Sequence, residues 1–348
     1  PNPTQGLRDC DAPRTDCDRL LAGETHLADA DLRGCRPDRP VDVTDVLSLR
    51  GANLACSEIA FAGPAHALVD LSEANVDTSI VRVTGLSLDV NRTTLRNSAL
   101  STFGSSRVRA NDSIFAETGL FISPTGEVVE GEPSPALDAT RSNFSGVTIH
   151  EPPSSRPARV RIDRSSISAS VFDVQLLALL GVNVSSSALA AVELDAQEVD
   201  ISVSNIRTAR GAFASSTLTD VIFEGCTELR FSDSEVSDVD VPTCPPEGFR
   251  AFRTELLGCN VAGGLELVES RYAAGVLGGG PASTLVSRGS EIDGVRFCDL
   301  GTAAFFDGAI RCVTCDEHAF MDGASVCVSG ASLFERGCPA IELSLSCD

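Results

Sequence analysis

The hydrophobic pattern of this chain is repetitive. Leu27-Ala28-Asp29-Ala30-Asp31-Leu32 aligns with Leu49-Arg50-Gly51-Ala52-Asn53-Leu54 at a spacing of 22, and after another 22 with Leu71-Ser72-Glu73-Ala74-Asn75-Val76. The shared template is apolar, two variable positions, small, polar, apolar. It continues as Leu95/Ser98/Leu100, Ala139/Ser142/Phe144, Ile162/Ser165/Ile167, Val184/Ser187/Leu189, Ile201/Ser204/Ile206 and Phe231/Ser234/Val236. Leu267/Ser270/Tyr272, Val295/Cys298/Leu300 and Val328/Ala331/Leu333 follow, while Phe252/Glu255/Leu257 breaks the small-residue rule. Alternate residues of a strand face opposite sides, so the small residue and the apolar one two places later point inward together. One coil cannot bury its apolar side, and its unpaired edge asks for another coil stacked about 4.8 Å away. The pattern therefore predicts an all-β, single-domain parallel β-helix, a β-solenoid with coils of about 15–30 residues. Small residues suit its corners, where stacked Ser, Asn or Cys can form ladders along the axis.

Ala30-Asp31-Leu32, Ala52-Asn53-Leu54 and, nearly, Ala74-Asn75-Val76 resemble the Ala-(Asp/Asn)-Leu signature of pentapeptide-repeat proteins over about the first eighty residues. The strict five-residue period of that family is not kept. Over its whole length the chain resembles the parallel β-helix (pectin-lyase-like) class, which implies right-handed coils of variable length with loop insertions. Residues 1–26 are expected to form a Cys-containing N-terminal cap, and 27–348 the β-helix. Ser, Pro and Gly mark loops leaving it near 123–135, 151–157 and 241–248.

Thirteen cysteines sharpen the picture of the ends and of the compartment. Cys10, Cys17, Cys35 and Cys56 lie early; Cys226, Cys244, Cys259, Cys298, Cys312, Cys315, Cys327, Cys338 and Cys347 lie late; none falls between. This distribution predicts disulfide-stapled ends in an oxidising compartment: secreted, extracellular, cell-surface or periplasmic. By spacing, Cys35 can reach Cys56 one coil away, and Cys10 can close a loop with Cys17. The odd number leaves at least one thiol free or paired outside the chain. The sequence starts at Pro1 without Met or an apolar leader, so a removed export signal is expected.

Composition excludes several partners. The formal charge is −22 and all 27 basic residues are Arg, a balance that repels nucleic acid and anionic membranes. No apolar run spans a bilayer: Val171–Val184 is interrupted by Asp173 and Gln175, although a lipid anchor stays open. Sequons occur at Asn91, Asn111, Asn143 and Asn183.

Candidate sites are sparse. Cys312-Val-Thr-Cys315-Asp-Glu-His318 lies within zinc-ligand vocabulary, but disulfides are expected there instead, and no metal or cofactor is assigned. The acidic pairs flanking Cys10 and Cys17 (Asp9, Asp11, Asp16 and Asp18) lack a calcium-loop signature. The paired Asp, Gly-His-Gly and Arg-Ile-Lys motifs of polygalacturonase-like β-helices are missing; Arg161-Ile162-Asp163 is the nearest match to the last. One Tyr and no Trp give little for stacking a long sugar chain. Asp293, Asp299, Asp307 and Asp322 are carboxylates that could pair across coils. His26, His66, His150 and His318 have no nucleophile at a recognisable spacing. Arg156, Arg159 and Arg161 concentrate positive charge, with Arg159 and Arg161 on one strand face opposite Val160 and Ile162. They can dock an acidic glycan or a partner's carboxylates, or pair with acids on neighbouring coils.

The reading is a secreted or cell-surface structural solenoid, non-catalytic and used for adhesion or assembly. Its partners are a protein or a second copy docked at the coil ends, where Ile341–Asp348 alternates like an uncovered edge strand, with a glycan as a further candidate. The rival is a carbohydrate-active β-helix enzyme, a lyase or hydrolase, with a divergent carboxylate site on an outer sheet face.

Overall fold

A computed structural model describes residues 15–124, 136–152, 158–242, 245, 248–311, 314–315, 320–329 and 332–334. The protein is an all-β parallel β-solenoid. Its residues fall into two compact units, Pro1–Ala178 and Leu179–Asp348.

In the first unit the repeat is visible as register. Asp31 bridges Asn53, and Asn53 bridges Asn75, so Ala30, Ala52 and Ala74 stack at one corner as the spacing of 22 predicts. The column continues through the short strands Asn75–Asp77, Thr94–Arg96, Ile114–Ala116, Asn143–Ser145 and Ser166–Ser168, each paired parallel with the next. Their central residues Val76, Leu95, Phe115, Phe144 and Ile167 are all buried. Phe115 and Phe144 stack with ring centres 4.8 Å apart, and Phe144 meets Phe172 edge-on at 6.2 Å. In the second unit Phe213, Phe231 and Phe249 repeat the arrangement at 5.0 and 5.1 Å.

Each short strand is bounded by two corners five residues apart, and both follow one rule. A residue in the left-handed region turns the chain, and the residue after it points inward. Arg92 and Asn97 turn before Thr93 and Ser98; Arg164 and Ala169 turn before Ser165 and Ser170; Arg253 turns before Thr254. A side chain other than Gly is disfavoured there, and the turn leaves a backbone amide without a strand partner. The buried hydroxyls meet that need from the next coil. The Ser57 N–H donates to Ser79 Oγ (3.1 Å), that of Ser79 to Ser98 (3.2 Å), that of Ser113 to Ser142 (3.2 Å) and that of Ser142 to Ser165 (2.9 Å). The second unit repeats the device from Ser187 to Ser204, Ser216 to Ser234, Thr254 to Ser270 and Ser270 to Ser290. An unmade buried hydrogen bond costs about 1–3 kcal/mol, so the ladder is a substantial part of what makes these corners stable.

The two-corner rule corrects part of the sequence alignment. Template matches that were read as one series alternate between the two corners: Ser98 and Ser187 belong to the second, Ser142, Ser165 and Ser234 to the first. The exception also disappears. Phe231 aligns with Ala251 and Val236 with Leu256, so the corner residue is Thr254, and Ala251/Thr254/Leu256 obeys the template one position earlier than Phe252/Glu255/Leu257.

At the N-terminal side the helix Thr15–Leu21 buries Cys17 and Leu20. Asp16 accepts the Asp31 N–H at 2.8 Å and an Arg19 contact at 2.7 Å; these bonds hold its carboxyl below the usual range. Its oxygens are thus used in holding the helix to the first coil. Cys17 is bonded to Cys35, which replaces the Cys10–Cys17 and Cys35–Cys56 pairings that spacing allowed. Cys35 sits at the second corner, one coil before Ser57, so the helix is tied into the ladder column itself. Cys56 and Cys226 are also disulfide-bonded. Cys259 is a buried free thiol, against its expected place among the bridges.

In each of the three expected loops, residues fall outside the described ones (125–135, 153–157, 243–244 and 246–247), as do Cys10, Cys244, Cys312, Cys338, Cys347, Arg156, His318 and the terminal run 341–348. Flanking the second of them, Glu151 is buried and accepts backbone N–H groups from Ala158 (2.9 Å) and Gln175 (2.8 Å), so one carboxylate ties Ala158 and the next coil together. Cys298, Cys315 and Cys327 lie on the strands Arg296–Phe306, Thr314–Cys315 and Phe320–Ser329.

Candidate functional site

Outward side chains on stacked strands form rows, one residue per coil. In the first unit Asp70, Asp89, Arg109, Asp138 and Arg161 are consecutive members of one row. Asp70 accepts the Ser72 N–H at 2.9 Å. Asp89 carries a buried Oδ1 without a hydrogen-bond partner. Burial pushes its carboxyl above the usual range; Arg109 opposes the shift, and Asp70 adds to it. The neighbouring row pairs Asn91 with Asn111, whose Nδ2 donates to Asn91 Oδ1 at 2.9 Å.

The arginine segment is placed as its alternation predicts. Val160 and Ile162 are fully buried, Arg161 is exposed beside Asp138, and Arg164 pairs with Asp163 at 3.2 Å. Arg159 is partly buried. Charged residues at the corners also pair from coil to coil. Arg50 and Arg92 both reach Glu73, and Arg141 meets Asp112 at 2.7 Å. In the second unit Arg253 meets Asp233 at 2.7 Å, and Arg271 meets Glu255 at 2.6 Å.

Of the four carboxylates singled out in sequence, Asp293 and Asp307 lie among the described side chains. Asp293 aligns with Ala273 and Arg311, and Asp307 turns a corner beside Gly289. The side chains of Asp299 and Asp322 lie outside the described residues. His26, His66 and His150 are exposed; His66 Nε2 lies 3.2 Å from Thr44 O, and His150 pairs with Asp173 at 3.2 Å. No group of three His, Cys, Asp or Glu suited to a metal occurs among the described residues.

A concavity lies on the outer face of the second unit. It encloses about 430 Å³ and is lined by Asp195, Ala212, Ala214, Arg230, Ser232, Arg250, Phe252, Glu266 and Val268, with Phe213, Phe231 and Ala251 as its floor. The small side chains of Ala212 and Ala214 make the hollow. Two rows form the walls: Asp195, Ala212, Arg230, Arg250 and Glu266, then Ala214, Ser232, Phe252 and Val268. Phe252 is 38% exposed, and the Arg253 guanidinium lies 4.4 Å from its ring centre. Sequence reasoning missed this groove, because the signal is a vertical juxtaposition. Arg230 and Arg250 are unremarkable until the register places them side by side.

No protein-family model matches the chain, and no curated protein matches it. Among solved structures it is similar to tailspike protein 3 of bacteriophage CBA120, at 9% identity and a TM-score of 0.34, over 98% of this chain and 62% of the tailspike. The likeness is one of fold. The chain thus spans less than two thirds of the tailspike's length. A double mutant of the periplasmic alginate epimerase AlgG is similar at 8% identity and a TM-score of 0.32, over 79% of this chain and 74% of the epimerase. The A-module of the mannuronan C-5 epimerase AlgE6 from Azotobacter vinelandii shows 11% identity and a TM-score of 0.28, over 93% and 94%.

Proposed function

We propose that this protein is a secreted or surface-located, non-catalytic interaction solenoid that holds a partner in the groove on its second unit. The observation that carries this reading is the groove itself: an open hollow with an exposed aromatic face and polar walls, built on rigid paired strands. Ligand sites combine apolar surface with a few placed polar groups, and Phe252, Arg230, Arg250 and Asp195 supply both. Elsewhere on the flanks, corner charges are engaged with one another from coil to coil. Among the described residues no helix is long and apolar enough to cross a membrane.

The test is binding of the labelled full chain to glycan- and protein-coated surfaces, comparing the parent with Phe252→Asp and with Arg82→Gln on the first unit. Saturable binding lost only in Phe252→Asp, with no product released from the surface, is the expected result. Binding insensitive to Phe252, or turnover of the bound material, contradicts it.

One observation favours the enzymatic reading. Asp70 and Asp89 stand in register on one outer face, and burial pushes the Asp89 carboxyl above its usual range. A carboxyl of raised pKa in register with a second carboxyl is the kind of pair that acid–base cleavage of a glycosidic bond uses. Release of reducing or unsaturated ends from acidic polysaccharides, abolished by Asp89→Asn, is the outcome that would favour this reading over the first.

A further inference from the structure

The two groove arginines stand side by side. Arg230 and Arg250 are direct register partners on adjacent coils, which brings like charges to neighbouring positions about 4.8 Å apart along the stack. In a chain with 49 acidic residues and 27 arginines, arginine beside arginine is the less common juxtaposition. The first unit's row shows the ordinary solution, with Asp138 between Arg109 and Arg161.

Local acids neutralise the pair only in part. Glu228 holds Arg230 at 2.5 Å, but Glu266 is shared: Arg288 takes it at 2.5 Å and Arg250 at 3.4 Å. Exposed pairs of this kind are weak, so a ligand anion can replace them. Guanidinium groups at neighbouring register positions can each turn a planar fork of N–H donors toward one carboxylate or sulfate group. Next to them Phe252 is partly exposed, with Arg253 lying over its ring. Asp195, at the far side of the hollow, can accept from a hydroxyl.

The backbone decides between a sugar chain and a peptide. The strands Glu228–Ser232, Phe249–Phe252 and Leu265–Val268 are hydrogen-bonded to one another across the groove floor. An acidic peptide would find no free strand edge to pair with there, so its backbone groups would stay unsatisfied by the protein. Sugar rings need no such edge; their C–H faces stack on an aromatic ring while their hydroxyls meet polar walls.

We propose that the groove binds an anionic glycan, with Arg230 and Arg250 clamping one carboxylate or sulfate ester and Phe252 stacking the adjoining ring. This rests on the groove's being the binding face and names the chemistry it selects. The experiment is calorimetric titration of the full chain with an oligouronate, a sulfated oligosaccharide, a neutral gluco-oligosaccharide and a poly-glutamate peptide, each at low and at moderate salt. One or both anionic sugars are expected to bind, and the one that binds identifies the anion. Binding should weaken as salt rises, and the neutral sugar should not bind. Arg230→Gln with Arg250→Gln should weaken binding about tenfold or more, and Phe252→Ala about three- to tenfold. Arg82→Gln should change nothing. If the double variant fails to fold by circular dichroism, Arg250→Lys is used instead; it keeps the charge, loses the planar fork and should still weaken binding severalfold. Absence of binding by both anionic sugars overturns the proposal, as does binding unchanged in the variants. Poly-glutamate binding that ignores Phe252→Ala overturns it in favour of an acidic peptide. If the Phe252-dependent surface binding described above persists while neither anionic sugar binds, the ligand class fails and the binding face stands.

Discussion

The hydroxyl of Tyr272 lies 2.9 Å from the carbonyl oxygen of Cys259 and 2.8 Å from that of Val276. Tyr272 occupies the buried position that Leu256 fills one coil earlier and Ile292 one coil later. Its longer side chain reaches the second corner, where Gly275 takes the place of the usual ladder serine. A Cβ on Gly275 would lie 2.3 Å from Cys259 O and 2.5 Å from the Tyr272 ring. The glycine and the tyrosine are therefore one solution to the same space.

Gly275→Ala is expected to destabilise by about 2–4 kcal/mol through overpacking. The part of that loss due to the ring should vanish in a Tyr272→Leu background, while the part due to the 2.3 Å approach to Cys259 O remains. A double-mutant cycle by chemical denaturation reads the coupling directly. Additive effects would show that the two residues do not share the site.

Ser142→Ala tests the ladder. The Ser113 N–H donates to Ser142 Oγ, and the hydroxyl in turn lies 3.1 Å from Thr140 O. Removing it strands a buried amide, with an expected loss of about 1–3 kcal/mol. Amide exchange at Ser113 should accelerate more than at Phe115, which keeps its strand partners. Equal acceleration at both would indicate general loosening instead.

Cys259 is the ladder residue in sulfur form. Its Sγ lies 3.4 Å from Val236 O and 3.5 Å from Leu257 O, as Ser98 Oγ lies beside Val76 O and Arg96 O in the first unit. Burial raises its pKa to about 11. At pH 8 almost none is thiolate, so iodoacetamide should leave Cys259 unmodified in the native chain and label it after unfolding. Peptide mapping checks this. Cys259→Ser should keep the corner bonds and cost little.

Asp89 makes a pH-dependent prediction with a definite sign. Its folded pKa is raised by burial, so the ionised form opposes folding above that value, and the penalty fades as pH falls through it toward the unfolded value. Asp89→Asn should therefore raise the melting temperature at pH 7. Because Asp89 is only partly buried, screening limits the gain to about 1–3 °C. The difference should shrink on acidification. A variant that is less stable at pH 7 would mean that the carboxylate has a partner in solution.

Much of the architecture could be read from residues 27–76, because three copies at one spacing carry the coil length, the inward positions and the stacking of Ala30, Ala52 and Ala74. The second corner was harder to see. Its five-residue offset reuses the same apolar and small residues, so Ser98 and Ser142 look like members of one series when they belong to different columns. Thr254 was missed for a related reason: the neighbouring Phe252 looks like a core residue, yet it faces outward and the inward position is the smaller Ala251. Disulfide pairing was not legible, since Cys17 reaches Cys35 only through the helix that packs on the first coil. The groove was the least visible. Arg230 and Arg250 are 20 residues apart, and only the register makes them neighbours.

The most direct measurement is a crystal structure of the full chain with the tightest-binding anionic oligosaccharide. The account predicts an intact sugar chain on the second unit, one anionic group between Arg230 and Arg250, and a ring over Phe252. An empty groove with the sugar held at Asp70, Asp89 and Arg109, or a cleaved product at either place, would contradict it.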